Sequence, residues 1–442
     1  MGCCISAFGR LENKRKADLP VSRAFLAERP RWVNGIGSCS QYNLDLLRNI
    51  YMSILKNNVA VPGSFTPAAS HTTEPSGLLS ESAIVYCENH FGSMDGKTAN
   101  GLVRFSQKYR ITAVVDSEKA GQDAGEVLDG KSNGIPICRD MAEALLLQGS
   151  PPQNFIIGMA PAGGMLSVED RAVMFQAMEQ GMNLVNGLHE FLSEDESFVG
   201  KALSCNVQIF DVRKPKKPKD LTLFDGSIFG VKCPRIAVLG TDTAIGKRTT
   251  ATILAQTLQA IGLNAVLIGT GQTSRIQGFS YGVAIDAIPA QFAAGEIEAQ
   301  VVAAYKNENP DVMIIEGQGA LSHPAYSSSS LIIRGTRPDA IILQHAPMRK
   351  MRGDFPRFAM PTVESEIHLL ETFSEAKVIG ITLNHEEMSD NDLDEVTKLY
   401  EAKYGLLTTD ATKHDPEKLV RMVLSAFPAL EQNSVESRVA HA

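Results

Sequence analysis

The 442-residue chain lacks a cysteine framework. Its seven cysteines are scattered along the sequence, and they show neither the spacing of a zinc site nor that of a disulfide-stapled domain. A reducing compartment is therefore expected, and we place the protein in the cytoplasm. A long apolar run is also missing, because the longest uncharged stretch, residues 249–274, carries Gln, Asn, Thr and Gly throughout. No transmembrane helix is predicted.

The chain has no excess of positive charge either. Its formal net charge is −8, whereas proteins that bind nucleic acid usually show a basic surface, so we expect a small-molecule substrate and no nucleic acid. Hydrophobic residues make up 44% and charged residues 21% of the chain, which excludes a mainly disordered or fibrous protein. The length predicts two or three domains.

The first 80 residues differ from the rest, and we interpret residues 1–80 as a partly flexible N-terminal extension. They begin MGCCIS, which fits the N-myristoylation pattern with Gly2 as the acylated residue. Palmitate on Cys3 or Cys4 would then make membrane attachment stable. The two interpretations are a lipid anchor on a cytoplasmic protein and a chance match to a loose pattern.

Residues 81–212 alternate between strand and helix patterns. Short apolar runs begin near positions 82, 111 and 155, and segments with helical spacing separate them. This alternation predicts a parallel sheet with crossover helices in a Rossmann-like domain. Ligands of such sheets bind beyond the carboxyl ends of the strands, although the polar residues found there are equally typical of ordinary turns.

Residues 213–230 begin with the basic run RKPKKPK, which we interpret as a solvated linker between two domains. A nuclear-localisation signal or a patch for a polyanion is the alternative. The second domain then occupies residues 231–430, and residues 431–442 form a tail.

The second domain begins with a phosphate-binding signature. The apolar pattern RIAVL is followed by the loop GTDTAIGK and by an amphipathic helix. This order predicts a P-loop, in which glycines let the backbone approach a phosphate and the N-terminus of the helix faces it. The predicted ligand-binding residues are Gly240, Thr241, Asp242, Thr243, Gly246, Lys247, Arg248 and Thr249.

The loop departs from the common P-loop in two ways. One extra residue separates its glycines, and Arg248 takes the place of the Ser or Thr whose hydroxyl binds magnesium. An arginine adds a fixed positive charge and no metal ligand. The loop is therefore suited to a phosphate, and we predict no protein-bound metal unless Thr249 replaces the missing hydroxyl.

Two ionisable residues follow the strand pattern DVMII of this domain. Glu316 comes directly after it, where an acidic residue would bind a metal, act as a base or form a structural hydrogen bond. His323 is a candidate acid or base because imidazole titrates near neutral pH, and a turn-fixing histidine is the alternative.

Several motifs together resemble one family. The segments GTDTAIGKRTT, IIEGQGALSHPAY and ITLNH are similar to the dethiobiotin-synthetase branch of P-loop enzymes. The fuller order, with GMAPAGG, GLHEFLSED and FDVRKP before the P-loop, resembles the family that includes the bacterial D-glutamate N-acetyltransferase. This resemblance covers about residues 82–425 and implies an α/β chain with a Rossmann-like domain followed by a P-loop NTPase-like parallel-sheet domain.

The resemblance also implies an activity, which is transfer of an acetyl group from acetyl-CoA to the amino group of D-glutamate or a similar amino acid. The P-loop would then hold the phosphates of coenzyme A, which require no metal. Glu316 or His323 would deprotonate the amine, and the amides of residues 317–319 would stabilise the oxyanion. Gln272 is expected to bind the substrate, and Arg334, Arg337 and Arg349 are alternative candidates for the cations that its carboxylates need.

Two other functions stay open at this point. A dethiobiotin-synthetase-like ligase or small-molecule kinase would use ATP and Mg²⁺. Glu316 supports this function because it could bind the metal, whereas Arg248 argues against it because it replaces a metal ligand. A membrane-tethered sensor would bind a nucleotide or coenzyme A without turnover. We also expect a homo-oligomer, since open parallel sheets are suited to symmetric assembly.

Overall fold

The computed structural model describes residues 81–160 and 164–431. The acylation motif at Gly2, Cys3 and Cys4 and most of the predicted tail therefore lie outside the described residues. Two parallel sheets with connecting helices make up the described structure, and they confirm the predicted α/β architecture. No helix within these residues is long and apolar enough to cross a membrane.

The first sheet has six parallel strands. They are β1 (Glu81–Tyr86), β2 (Tyr109–Val115), β3 (Ile137–Cys138), β4 (Asn154–Ile157), β5 (Asn183–Asn186) and β6 (Ile209–Asp211). The helices of this domain are α1 (Lys97–Phe105), α2 (Ala124–Asp129), α3 (Met141–Leu146), α4 (Val168–Glu179) and α5 (Glu196–Cys205). The strand order is β3-β2-β1-β4-β5-β6, so the direction of winding reverses between β1 and β4. Such a reversal opens a crevice at the carboxyl ends of the two strands.

The second sheet has seven parallel strands. They are β7 (Arg235–Gly240), β8 (Ala265–Gly269), β9 (Tyr281–Gly282), β10 (Val312–Glu316), β11 (Ala340–His345), β12 (Lys377–Leu383) and β13 (Thr408–Asp410). The helices are α6 (Lys247–Ala260), α7 (Gln272–Gln277), α8 (Ala290–Glu308), α9 (Ser328–Thr336), α10 (Val363–Ser374), α11 (Asp390–Tyr404) and α12 (Glu417–Ala426). The strand order β13-β12-β11-β7-β10-β8-β9 places β7 at the centre.

The central strands are buried on both faces because helices cover both sides of each sheet. All five residues of β10 are buried, as are all six of β11. Helix α4 shows how local sequence sets the helix boundaries, because Ser167 and Asp170 form a capping box at its N-terminus. These buried strands hold the loops at their carboxyl ends in fixed positions.

The segment that joins the two domains contacts the rest of the protein through basic residues that include Arg213 and Lys216. The side chain of Arg213 is only 7% exposed, because it forms an ion pair with Asp286 and donates to the carbonyl of Gly187 at 2.6 Å. Lys216 forms an ion pair with the buried carboxylate of Glu296 at 3.0 Å. Arg213 is therefore held against the body of the protein, whereas the lysines of the segment are exposed, namely Lys214, Lys216, Lys217 and Lys219.

The carboxyl edges of the two sheets face each other. The hydroxyl of Thr98, which follows β1, lies 2.9 Å from the hydroxyl of Thr273, which follows β8. In the same region, the side-chain amide of Gln277 on α7 donates to the carbonyl of Gly101 on α1 at 2.8 Å. Residues from the ends of strands in both domains therefore line one cleft.

Candidate active site

The P-loop leaves the carboxyl end of β7 and leads into α6. Gly246 has a φ of +104° and precedes the helix, which has no side-chain cap at its N-terminus. The amides of the first turn therefore lack the side-chain partner that commonly satisfies them, and an anion would satisfy them instead. Gly240 is equally constrained, because a β-carbon there would lie 2.9 Å from the carbonyl oxygen of Gln344.

Lys247 is the buried cation of this loop. It is 5% exposed, and its ammonium donates to the carbonyl of Asp242. Burial, together with a smaller effect of Arg349 and against the opposing effect of Asp242, lowers the pKa of Lys247 to about 8. A buried lysine that is paired only with a carbonyl is well placed to receive a phosphate.

Asp242 is a buried P-loop residue whose carboxylate binds the segment after β11. Its carboxylate is fully buried and accepts hydrogen bonds from Nη1 of Arg349 and from the amide of Gly353, both at 2.9 Å. Nη1 of Arg352 lies 3.7 Å from the other carboxylate oxygen. Asp242 therefore fixes the segment after β11 against the P-loop, which is a structural role in addition to the predicted contact with ligand.

The guanidinium of Arg349 is already occupied. It donates to Asp242, to the carbonyl of Thr243 and twice, at 2.7 Å, to Glu386. Of its five N–H groups, four are used within the protein. This geometry gives no support to the predicted contact between Arg349 and a substrate carboxylate.

The side chain of Arg248 points across the cleft. Its Nη2 donates to the carbonyl of Lys97 on α1 at 3.1 Å, and a β-carbon at Gly101 would lie 2.4 Å from that nitrogen. Its Nε is buried without a partner in the described part of the protein. Arg248 therefore connects the P-loop to the first domain, a contact that the sequence did not predict.

Glu316 lies at the carboxyl end of β10, next to the P-loop strand. It is 5% exposed, and one carboxylate oxygen accepts the amide of Thr270 at 2.8 Å. Gly317 is packed so closely that a β-carbon there would lie 2.2 Å from the carbonyl oxygen of Val238. The carboxylate is thus held in one orientation, with its second oxygen near Gly271.

His323 is held as a hydrogen-bond donor. Its Nδ1 accepts the amides of Ala325 at 3.2 Å and Tyr326 at 3.1 Å, so the ring proton resides on Nε2. Nε2 is buried and has no partner among the described residues. Burial, with a smaller effect of Arg352, lowers the pKa of His323. This environment favours a neutral donor over a base, because a base would need a free ring nitrogen.

The other predicted site residues divide into two groups. Gln272 lies in the cleft, where it packs against Gly187 of the first domain. Arg334 lies on the exposed surface of α9, 4.7 Å above the ring of Phe373, and Arg337 is also exposed. Because α9 ends just before β11 begins, both arginines lie at the amino edge of the sheet, opposite the P-loop. The structure does not bring them to the cleft.

The hydroxyls of the P-loop contact the protein in different ways. The Oγ1 of Thr241 lies 2.9 Å from Nδ1 of His345, and that of Thr243 donates to Asp354 at 2.9 Å. Thr249 lies in the first turn of α6. The P-loop residues, Glu316, Gln272 and His323 thus lie at one edge of the second sheet.

We expect the protein to lose stability in acid because His345 is buried. Burial lowers the pKa of His345 to about 4 from 6.5, so between these values the unfolded chain binds more protons than the folded one. Its contribution should reduce the free energy of unfolding by about 3 kcal/mol as the pH falls through this interval, at about 1.4 kcal/mol per pKa unit. Urea titrations at pH 7 and pH 4.5 measure the loss. His345→Asn should lose less, and an equal loss in both proteins would contradict this assignment.

Comparison with known proteins agrees with the geometry. Residues 117–215 match the Rossmann-like domain described as DUF1611_N, and residues 222–420 match the P-loop domain described as DUF1611_C, both domains of unknown function. A D-glutamate N-acetyltransferase from Tritonibacter scottomollicae is 31% identical over 275 residues, which are 61% of this chain and 80% of the relative. The chain belongs to the DUF1611 family.

Two further proteins are similar to this chain. A D-glutamate N-acetyltransferase from a Pseudoalteromonas species is 30% identical, again over 61% of this chain and 80% of the relative. The crystal structure of a DUF1611 family protein from Anabaena variabilis is 32% identical and superimposes with a TM-score of 0.71. That comparison covers 78% of this chain and 99% of the solved one. The Rossmann-like and P-loop interpretations of the two domains are thus confirmed.

Proposed function

We propose that the protein transfers the acetyl group of acetyl-CoA to the amino group of D-glutamate or a similar amino acid. The observation that carries the proposal is the buried Lys247 ammonium, which lies in an uncapped P-loop beside the carboxylate of Glu316. The two relatives named D-glutamate N-acetyltransferase support the choice of reaction.

The P-loop would hold phosphates of acetyl-CoA. The amides at the start of α6 and the ammonium of Lys247 supply hydrogen-bond donors and positive charge. Arg248 replaces the hydroxyl that usually binds magnesium beside a nucleotide, and its guanidinium contacts α1 instead. These features suit a phosphate-bearing ligand whose reaction does not take place at the phosphates.

Glu316 is the proposed base of this reaction. The ammonium of the acceptor passes a proton to the free carboxylate oxygen, and the amine nitrogen then attacks the thioester carbonyl. The C–S bond breaks as the tetrahedral intermediate collapses, the amide C–N bond remains, and the second nitrogen proton leaves with the departing thiolate. His323 would serve as a donor to a ligand oxygen, because its Nε2–H has no protein partner among the described residues.

A direct assay tests the proposed reaction. The purified full chain is incubated with acetyl-CoA and a panel of D- and L-amino acids, and separately with Mg²⁺ and ATP, and the products are read by mass spectrometry. We expect an N-acetylated acidic amino acid and free coenzyme A in the first reaction. Magnesium-dependent consumption of ATP without acetyl transfer would contradict the proposal in favour of a ligase or kinase. Ligand binding without any turnover would favour a sensor.

A further inference from the structure

Lys97 is an unpaired cation at the cleft. It is the first residue of α1, its side chain is exposed, and its ammonium has no hydrogen-bond or ion-pair partner in the described ranges. Its position is nevertheless fixed, because its carbonyl accepts Nη2 of Arg248 and the next residue, Thr98, contacts Thr273 of the second domain. The first domain therefore presents a free ammonium to the P-loop domain.

The charged groups around Lys97 include both cations and carboxylates, and most of them have a partner within the protein. Lys247 and Arg248 each donate to a backbone carbonyl, and neither forms an ion pair with a carboxylate among the described residues. The nearby carboxylates are already engaged: Asp286 pairs with Arg213, and Asp354 accepts the hydroxyl of Thr243. The cleft walls partly desolvate the solvent-accessible Lys97 ammonium, and this desolvation, with the charges of Arg213 and Arg248, lowers the pKa of Lys97, whereas Asp354 opposes that shift. The Lys97 ammonium is without a hydrogen-bond or ion-pair partner among the described residues, and an anion that enters the cleft would stabilise it.

One anion does not neutralise the whole cluster. A phosphate in the P-loop would be bound by the amides of α6 and by Lys247, all on the second domain. Lys97 belongs to the opposite wall, where its carbonyl accepts Nη2 of Arg248. The charge of Glu316 also acts on Arg248, so the proposed base and Lys97 both belong to the surroundings of this arginine, where the acceptor is expected.

We propose that Lys97 binds a carboxylate of the acceptor, so that a dicarboxylic amino acid is held between the two domains. This inference rests on the proposed function, since it names the acceptor site of that reaction. None of the arginines predicted from the sequence supplies this contact. Arg334 and Arg337 lie at the opposite edge of the sheet, and the guanidinium of Arg349 is bound to other residues. A lysine suits this role because its flexible ammonium reaches a carboxylate without a fixed geometry.

The test compares Lys97→Met, Lys97→Arg and the control Lys131→Met, which removes an exposed lysine of the same domain. Calorimetric titrations with D-glutamate, glutarate and acetyl-CoA are combined with steady-state kinetics. We expect Lys97→Met to raise the KM and Kd for D-glutamate at least tenfold and to leave the Kd for acetyl-CoA within twofold. Lys97→Arg should stay within threefold of wild type, and Lys131→Met should not change.

The possible results separate this inference from the proposed function. If wild-type protein acetylates D-glutamate and Lys97→Met leaves the KM for D-glutamate unchanged, the proposed carboxylate contact of Lys97 is contradicted and the proposed reaction is supported. If D-glutamate binding depends on Lys97 but no acetylated product forms, the reaction is wrong and the carboxylate site stands. Weaker binding of acetyl-CoA alone would make Lys97 a contact for the coenzyme phosphates and overturn the inference. Failure of wild-type protein to bind D-glutamate or glutarate would also overturn it.

Discussion

Replacing Lys247 with methionine is expected to weaken acetyl-CoA binding by about 30-fold, since a charge-assisted hydrogen bond to a phosphate is worth about 2 kcal/mol. Methionine keeps the length and the apolar stem of the side chain and removes the ammonium. The buried lysine now donates to the carbonyl of Asp242, and in the complex it would donate to the ligand. Calorimetric titration of both proteins with acetyl-CoA measures the difference.

The pH dependence of binding gives a second measure of the same residue. Because the pKa of Lys247 is lowered to about 8, raising the pH above 8 removes the proton on which phosphate binding depends. Affinity for acetyl-CoA should therefore fall about tenfold between pH 8 and pH 9.3 as the neutral amine becomes the main form. In Lys247→Met this step should be absent. The P-loop would not be the coenzyme site if Lys247→Met bound acetyl-CoA like wild type at pH 7.

Replacing Glu316 with glutamine is expected to lower kcat at least 100-fold, within the range of about 10²–10⁴ that general-base catalysis contributes. Glutamine has nearly the same shape, and its amide oxygen still accepts the N–H of Thr270, so the local structure should persist. Acetyl-CoA binding should stay within threefold of wild type. Single-turnover measurements with acetyl-CoA and D-glutamate test the chemical step directly.

Two controls make the Glu316 experiment decisive. Glu395→Gln removes an exposed carboxylate of α11 and should leave turnover unchanged. Thermal unfolding of Glu316→Gln checks that the fold survives. Full turnover by a folded Glu316→Gln variant would exclude this residue as the base, whereas loss of acetyl-CoA binding would make it a structural support of the P-loop.

The elements that the sequence predicted are those with strong local patterns. The strand pattern at 311–315 corresponds to β10, and the helix predicted from residue 247 corresponds to α6, each within one residue at its ends. The strand predicted to begin near residue 155 ends at Ile157, since the carbonyl of Gly158 accepts the amide of Ala99 on α1. Such boundaries depend on tertiary contacts that local periodicity does not contain.

The strands that the sequence did not predict are short and lie away from the sheet centres. β3 and β9 have two residues each, and β6 and β13 have three. A pattern of period two needs about four residues to be recognised, so these segments resemble loops. Their places in the sheets come from pairing with a neighbour: Val114 and Val115 of β2 set the register of β3.

The sequence predicted those parts of the candidate site whose residues belong to one continuous segment or directly follow a recognisable strand. The P-loop is one continuous segment, and Glu316 follows a recognisable strand. The contact between Arg248 and Lys97 joins residues 151 positions apart, so no spacing in the sequence reveals it. The exclusion of Arg334 likewise follows from strand direction, which places the end of α9 at the far edge of the sheet. The sequence predicted His323 as a candidate acid or base. Its role as a donor follows from two backbone amides that only the fold brings to Nδ1.

The close approach of Arg248 to α1 links two positions that otherwise have separate roles. There is no room for a side chain at Gly101 while the guanidinium lies above it. Relatives that keep arginine after the P-loop lysine should therefore also keep glycine at the position of Gly101. Relatives that have serine or threonine at the position of Arg248 can carry a larger residue at the position of Gly101. The phosphate loop of one domain and a helix of its neighbour are thus expected to evolve as a matched pair.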